Sequence, residues 1–548
     1  MCGIFAVFHV RPSTCLATMW NAQQVLNARG PDSSTLVMNT REFLAFKRLA
    51  IVDTSTAGNQ PFFSDNHKVA VMCNGEIYNY RQLTQKHNLV CKSGSDCEVI
   101  LRLYEKYGFH NTVNLLDGVF AIVLRDYNTN KVWIARDNIG VRPLFAGVTT
   151  DGNPAFASVA AALLPFCNCV RQVAAKSYAY VDLKDSFYRW RTQEYPNLHF
   201  ALSGVHEASS LRSLLFRAVK KRLQGCEARP IGCLLSGGLD SSVVASILLR
   251  VNPNVRTYSI GMAETEGVTE SVDCRYAREV AEFLGALENH TEVHYSPLEG
   301  FNAIPEVIRA LESYDITTVR ASVPMYLLAK YIKTHTQDTI IFSGEGSDEL
   351  FGGYLYFKKA PSTEKFLKES KRLVEELPYF DVLRADRCIS SHGLELRVPF
   401  LDLDVVHFAS DMGKAKLPYQ GIEKYHLRSS FEGELPESVL WRRKDGLSDG
   451  VSGAKTWATY IGEFVDNIIS DETFEQVKTR FPSKEALYYY QVYQQYYPTL
   501  TSNMPHYWLP KWMGDVTDPS GRLVEECKDW GASVPCSTTT PSSLTTSQ

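Results

Sequence analysis

The sequence predicts two domains of different class. An α+β unit covers residues 2–190, an α/β unit covers 211–530, and a linker at 191–210 separates them. Three observations predict it. Residues 1–190 carry short apolar or alternating runs punctuated by Gly, Asn, Asp and Pro, the pattern of strands in packed sheets. Beyond 211, apolar strand-like runs alternate with helical ones, which implies a doubly wound parallel sheet with helices on both faces. The segment between them holds Pro196, Ser203, Gly204, Ser209 and Ser210 and little periodicity.

In the first unit, MCGIFAVFHV, FLAFKRLAIVD, KVAVMCNGEIY, GVFAIVLRDY and KVWIARD read as strands. At 96–107, Val99, Ile100, Leu103, Tyr104 and Tyr107 share one helical face. Two sheets face to face with helices outside, an αββα sandwich, satisfy both patterns. In the second unit, 229–235 reads as a buried strand, 241–250 as a helix and 255–262 as a strand. A helix follows at 275–285 with Gly285 as its stop, then a helix at 323–332 and a strand at 339–343. The remainder reads as helical, and the Ser/Thr-rich tail from 531 to 548 as disordered.

Composition narrows the function. The formal charge of −4 leaves no basic excess for nucleic acid. KKR at 220–222 and RRK at 442–444 read as solvated helix faces or small-anion sites. The longest apolar runs, such as VFAIVL at 119–124, are too short to span a bilayer. No charged segment precedes the first apolar stretch, which argues against a signal peptide. The 13 cysteines lack CxxC spacing, the nearest pairs being Cys91/Cys97 and Cys167/Cys169, so they read as reduced and the compartment as cytoplasmic. The expected partners are small molecules, with no nucleic acid and no membrane. A homodimer is left open.

Cys2 follows the initiator Met. Removal of Met1 would leave a thiol and an α-amine of ordinary pKa about 7.7–8.0 on one residue, and the amine can serve as base for its own thiol. Taken alone, Cys2 reads better as a small apolar residue opening a strand, and Asn74-Gly75 better as a hairpin turn. SGGLDSS (236–242) follows a strand and opens a helix. Its glycines, hydroxyls and helix N-terminus make an anion cradle without the GK[ST] of a Walker loop. SGEGSDELFGGY (343–354) sets Glu345, Asp348 and Glu349 on a second glycine-rich loop, which as a bare sequence reads either as a Mg²⁺-phosphate site or as a solvated acidic turn.

RGPD (29–32), RLAIVD (48–53), NGEIYN (74–79), GSDCE (94–98) and RDNIGVRPLF (136–145) together resemble the glutaminase domain of the N-terminal-nucleophile amidotransferases. With SGGLDSS, YDITTVRAS (314–322), SGEGSDELFGGY, ELRVPFLD (395–402) and WRRKDGLSDG (441–450), the chain from 2 to about 520 resembles the glutamine-hydrolysing asparagine synthetases.

The resemblance implies an Ntn-hydrolase type of first domain and an ATP-pyrophosphatase type of second. Cys2 would be the nucleophile, with the Asn74 side chain and Gly75 N–H as oxyanion donors. Arg48 would hold the glutamine carboxylate, and Asp96 and Glu76 its ammonium. Leu49, Ala50, Ile51 and Val52 complete that set, and Gly75 would let the backbone approach the substrate. ATP would lie on Leu235, Ser236, Gly237, Gly238, Asp240, Ser241, Ile260, Ser343 and Gly344, with Mg²⁺ on Asp240 and Asp348. Thr317, Thr318 and Arg320 would hold aspartate and developing charge, Lys444 the phosphates, and Glu345 would be the general base.

The implied reaction adenylates the aspartate β-carboxylate, and ammonia from the Cys2 site displaces AMP. The phosphoribosyl and sugar-phosphate amidotransferases lack the 236–242 loop, the β-lactam-forming relatives usually lack the cysteine, and a non-catalytic scaffold would not need these residues intact. Three positions depart from the family pattern: Ala28 in place of His, Val159 in place of Glu, and Leu447 in place of an aromatic residue.

Overall fold

The computed structural model describes residues 1–9, 16–39, 41–185, 191–194, 211–226, 229–263, 270–444, 446–453, 455–500, 504–514 and 516–519. Most of the expected linker and the expected 531–548 tail lie outside these residues. Part of the linker does not, because Arg191–Glu194 is a strand paired to Ser177–Asp182.

The first domain is an αββα sandwich. One six-stranded antiparallel sheet runs in spatial order Cys167–Gln172, Phe145–Thr149, Pro154–Ala157, Gly3–Phe8, Glu42–Arg48, Ser33–Met38. The other runs Arg191–Glu194, Ser177–Asp182, Lys131–Arg136, Gly118–Asp126, Val69–Ile77, Phe62–Phe63. The period of two divides the residues between layers. Ile4, Ala6, Phe8, Leu44 and Phe46 meet Met72, Ala121, Val123 and Ile134 between the sheets. Phe5, Val7, Phe43 and Ala45 face the helix Leu16–Gln24 through Met19 and Ala22. Val71, Cys73, Phe120 and Ile122 face the helix Glu98–Leu115 through Val99, Ile100 and Leu103. That helix outruns the expected 96–107 because it continues past a kink at Gly108.

The second domain is built on a parallel sheet of five strands. The first, Ile231–Leu234, lies at its centre. Arg256–Met262 and then His290–Tyr295 are added on one side, Ile340–Phe342 and then Glu395–Arg397 on the other. The chain therefore reverses direction between the Ile231 and Ile340 strands. In open α/β sheets ligands bind beyond the carboxyl ends of the strands at such a reversal. The 235–238 and 343–346 loops both leave from that point.

Two elements exceed the sequence reading. YDITTVRAS opens a 20-residue helix, Ile316–His335, capped by the Asp315 side chain, instead of preceding one that begins at 323. ELR in ELRVPFLD is the edge strand next to Ile340–Phe342.

Buried ion pairs join the domains. Arg397 meets Glu76 at 3.2 Å and Arg29 meets Asp386 at 2.8 Å, and the half-buried pair Lys221–Asp117 adds a contact at 2.8 Å. KKR at 220–222 is thus no solvated face: Arg222 is buried and paired with Asp402, and Lys221 bridges Asp402 to Asp117. No helix among the described residues is long and apolar enough to cross a membrane.

Candidate active sites

The strand Gly3–Phe8 presents Cys2 at its head. The Cys2 N–H donates to Asn74 Oδ1 at 2.9 Å, Sγ lies 3.6 Å from the Leu49 carbonyl, and Arg29 Nε donates to the Cys2 carbonyl at 3.0 Å. Asn74 sits inside the strand Val69–Ile77, opposite Ala121, which excludes the hairpin-turn reading. With Oδ1 on Cys2, Asn74 Nδ2 is buried and has no hydrogen-bond partner among the described residues.

Gly75 is required by its neighbour strand and not only by a ligand. A Cβ there would lie 2.1 Å from the Val119 carbonyl oxygen. Burial pushes the Cys2 thiol up to about 11, so beside Met1 the sulfur is a protonated thiol at neutral pH. Burial also pulls the Met1 ammonium down to about 6. Met1 itself is buried against Arg142 and the Leu394 carbonyl, filling the space beside Cys2 at the domain boundary.

Arg48 is held by the 53–59 loop. Its Nη1 donates to the Ser55 carbonyl at 2.6 Å and Asn59 Oδ1 at 2.9 Å, and its Nη2 to the Asp53 carbonyl. Asp32 of RGPD accepts from Ala50 N–H at 2.8 Å and so sets the 49–52 run beside the thiol. Asp96 is buried and accepts from Ile77 N–H at 2.7 Å. Burial raises its pKa to about 6 against that hydrogen bond. Glu76 turns its carboxylate to Arg397 of the other domain, where burial, with Glu395 and Asp96 close by, holds its pKa well above the carboxylate range. The carboxylate assigned to the glutamine ammonium is thus engaged at the domain boundary.

The second site is a cavity of about 240 Å³ at the strand reversal. It brings together Leu235, Ser236, Gly238, Asp240, Ser241 and Ile260 with Thr317, Ser343, Gly344, Glu345, Asp348 and Lys444. Gly237 is also constrained by packing: its φ is +67°, and a Cβ would lie 2.4 Å from Ala277 N. A Cβ on Gly344 would lie 2.8 Å from Ser241 N, so that glycine lets the two loops meet. The Gly238 N-cap of the helix Leu239–Val251 makes no side-chain capping bond, leaving the helix N-terminus open to an anion.

Charge is organised around a residue the sequence reading missed. Lys424 Nζ lies 2.7 Å from Asp240 and 2.5 Å from Asp348, and Lys444 Nζ lies 2.7 Å from the other Asp348 oxygen. Burial alone would raise Asp348, but the two ammoniums hold it far below the carboxylate range. The only local signal for Lys424 is its left-handed φ of +53°, which no sequence pattern reveals. Magnesium takes one or two carboxylates and completes its shell with phosphate oxygens and water. Asp240 and Asp348 fit that donor set. Among the described residues no group of three or more His, Cys, Asp or Glu could hold a metal unaided.

Glu345 lines the cavity, and Arg384 Nη2 reaches it at 2.6 Å while also meeting Asp381 at 2.9 Å. Burial raises the Glu345 pKa above the usual carboxylate value, opposed by Arg384 and Lys444. RRK at 442–444 is a loop along the cavity and not a helix face. Arg442 stacks 4.2 Å from the Tyr276 ring centroid and donates to the Gly237 carbonyl at 3.3 Å. Thr317 lines the cavity, but Thr318 is buried on Asp315. Arg320 turns away to Glu485 and Asp518.

The departing positions read plainly. Ala28 is exposed. Val159 packs in the apolar core, and beside it the N–H groups of Ala160 and Ala161 are capped by Glu312 of the second domain at 3.0 and 2.6 Å. The Leu447 side chain lies outside the description. Cys73, Cys91, Cys97, Cys167 and Cys169 are free thiols, as are the other described cysteines.

Comparison with known proteins follows this division. A glutamine amidotransferase domain model matches residues 1–200, and an asparagine synthase model matches 210–378 and 360–514. A glutamine-hydrolysing asparagine synthetase from Gallus gallus is 40% identical over 571 residues, covering 96% of this chain and 99% of that protein. The one from Homo sapiens gives the same identity and coverage. Among solved structures, a glutamine phosphoribosylpyrophosphate amidotransferase from B. subtilis aligns with a TM-score of 0.30 at 18% identity, over 50% of this chain and 70% of that one.

Proposed function

We propose roles for individual residues from one premise: the chain belongs to the glutamine-hydrolysing asparagine synthetases. Its reaction takes ATP, aspartate, glutamine and water to asparagine, glutamate, AMP and pyrophosphate.

Removal of Met1 frees the Cys2 α-amine. That amine takes the thiol proton as Sγ attacks the glutamine carboxamide carbon. Asn74 Nδ2 and the Gly75 N–H carry the oxyanion. Ammonia leaves, and water then releases glutamate from the thioester. Arg48 binds the glutamine α-carboxylate and Asp96 its ammonium.

In the second domain the 236–242 loop and the open helix N-terminus take the ATP phosphates, with Lys444 and Lys424 neutralising charge. Asp240 and Asp348 would hold the Mg²⁺ that accompanies ATP, which screens the phosphate charge. The aspartate β-carboxylate attacks the α-phosphorus and pyrophosphate leaves. The resulting acyl ester has AMP as its leaving group where the free carboxylate had only oxide. Ammonia attacks the acyl carbon, Glu345 takes the surplus proton, and AMP departs. Burial, which raises the Glu345 pKa above the usual carboxylate value, favours its taking up that proton. The free thiols support a reducing, cytoplasmic setting.

One observation carries this reading. The loops bearing Asp240 and Glu345 meet at the strand reversal of the same chain whose Cys2 faces the unpartnered Asn74 amide. The test is product stoichiometry together with intact mass. Asparagine, AMP, pyrophosphate and glutamate are expected in near-equal amounts from a chain beginning at Cys2. Full activity in a chain that retains Met1 would remove the self-base step.

A further inference from the structure

Residues 504–514 and 516–519 form a strap along the synthetase cavity, where Trp508, Pro510 and Pro519 line the wall together with residues of the 235–241 and 343–346 loops. Two anchors hold this strap, one at the N-cap and one in the second turn of the helix Ile316–His335, whose start carries Thr317 and Thr318, assigned to aspartate.

The first anchor is Asp315, the fully buried N-cap. Its Oδ2 accepts from Thr318 N–H at 2.9 Å and Thr318 Oγ1 at 2.7 Å, while its Oδ1 accepts from Trp508 N–H at 2.7 Å. Thr317 Oγ1 closes the same junction by donating to the Trp508 carbonyl at 3.2 Å. The second anchor is Arg320, one turn on. Its Nε donates to Glu485 at 2.7 Å and its Nη2 to the other Glu485 oxygen. Its Nη1 and Nη2 also reach Asp518 at 2.9 and 3.1 Å. The guanidinium is thus fully engaged away from the cavity. On its other side, the Trp508 ring packs 5.1 Å from that of Tyr354, which lines the cavity and donates to Glu349 at 2.6 Å.

We infer that this C-terminal strap is the wall that keeps water from the aspartyl adenylate, and that Arg320 is a positioning residue that clasps it through Asp518. The inference rests on the synthetase reading above. An acyl adenylate in an open cavity meets water at far higher concentration than ammonia. Water oxygen then bonds to the acyl carbon and gives up a proton, the acyl–AMP bond breaks, AMP leaves, and aspartate is regenerated with pyrophosphate already spent. A strap tied to the aspartate-binding turn closes that route.

The test uses the full chain carrying Asp518→Asn, Trp508→Ala or Trp508→Phe, with pyrophosphate and asparagine measured together at saturating ammonia. The wild type is expected to give a pyrophosphate-to-asparagine ratio near one. Asp518→Asn and Trp508→Ala should raise it several-fold and raise the aspartate KM, with Trp508→Phe restoring most of both. Glutamine hydrolysis should stay at the wild-type rate in all three. Ratios unchanged in every variant, with or without lower turnover, would overturn the strap's role, because a merely structural contact lowers both products together. If Trp508→Ala fails to fold, Asp518→Asn and Trp508→Phe decide alone. A wild type that makes no asparagine would fail the synthetase reading itself, a separate outcome.

Discussion

The two sites differ in what already fills them. The Cys2 site is made of strand backbone. Cys2, Asn74 and Arg48 are fixed by hydrogen bonds within the first domain, and Met1 occupies the adjoining space. The second site is a cavity rimmed by loops, in which opposed side-chain charges satisfy one another until substrate arrives. Backbone-built sites need only processing to become competent. Charge-built sites need a ligand to rearrange them. Mutations should therefore separate the sites cleanly, and any coupling has several domain-boundary contacts to run through, among them Glu76–Arg397, Arg29–Asp386, Lys221–Asp117 and Glu312 with Ala160 and Ala161.

The largest separation should come from Glu345→Gln. Loss of a general base costs about 10²–10⁴-fold, and the loss should fall on ammonia-dependent amide formation while glutamine hydrolysis is unchanged. Equal loss in both would merge the two sites. Asn74→Ala should do the reverse. Removing one oxyanion donor costs about 10²–10³-fold in kcat, here in glutamine hydrolysis, with the ammonia-dependent rate intact.

Lys424→Met sharpens the comparison through stability. It leaves Asp240 facing Asp348 with one ammonium fewer. Unpairing buried charge of this kind costs about 3 kcal/mol, read as a lower midpoint in denaturant. Added Mg²⁺ should recover more of that loss than it adds to the wild type. No difference in the Mg²⁺ effect would detach the carboxylate pair from the metal.

The smallest effect is a pH dependence confined to one site. With Asp96 raised to about 6, the glutamine KM should climb as pH falls through 6, because the protonated acid no longer attracts the ammonium. The KM for aspartate with ammonia as donor should lack that inflection. The same shift fixes a stability sign. A carboxyl raised above its unfolded value contributes stability that is present below about pH 4 and lost as pH rises through about 6. Asp96→Asn should therefore stabilise the fold at pH 7 while weakening glutamine binding.

Much of this arrangement was legible in the sequence because it is local. The sandwich follows from short apolar runs such as GIFAVF and VAVMC, and the cavity loops follow from glycines between a strand and a helix. What escaped was non-local. Lys424 reaches Asp240 across 184 residues and Arg320 reaches Asp518 across 198. Nothing in GIEKYH or TDPS announces those contacts. Arg320 and Glu76 were assigned to substrates from motifs, whereas their partners are protein carboxylates and a guanidinium brought in by tertiary packing. ELR was too short to read as a strand without its neighbour at 340–342, which supplies the register.

The most direct test of the two-site account is Cys2→Ala, assayed for asparagine with glutamine and, separately, with ammonia as the nitrogen source. The account predicts no detectable asparagine from glutamine and a near wild-type rate from ammonia in a folded protein. Loss of the ammonia-dependent reaction in that variant, with the fold intact, would contradict it.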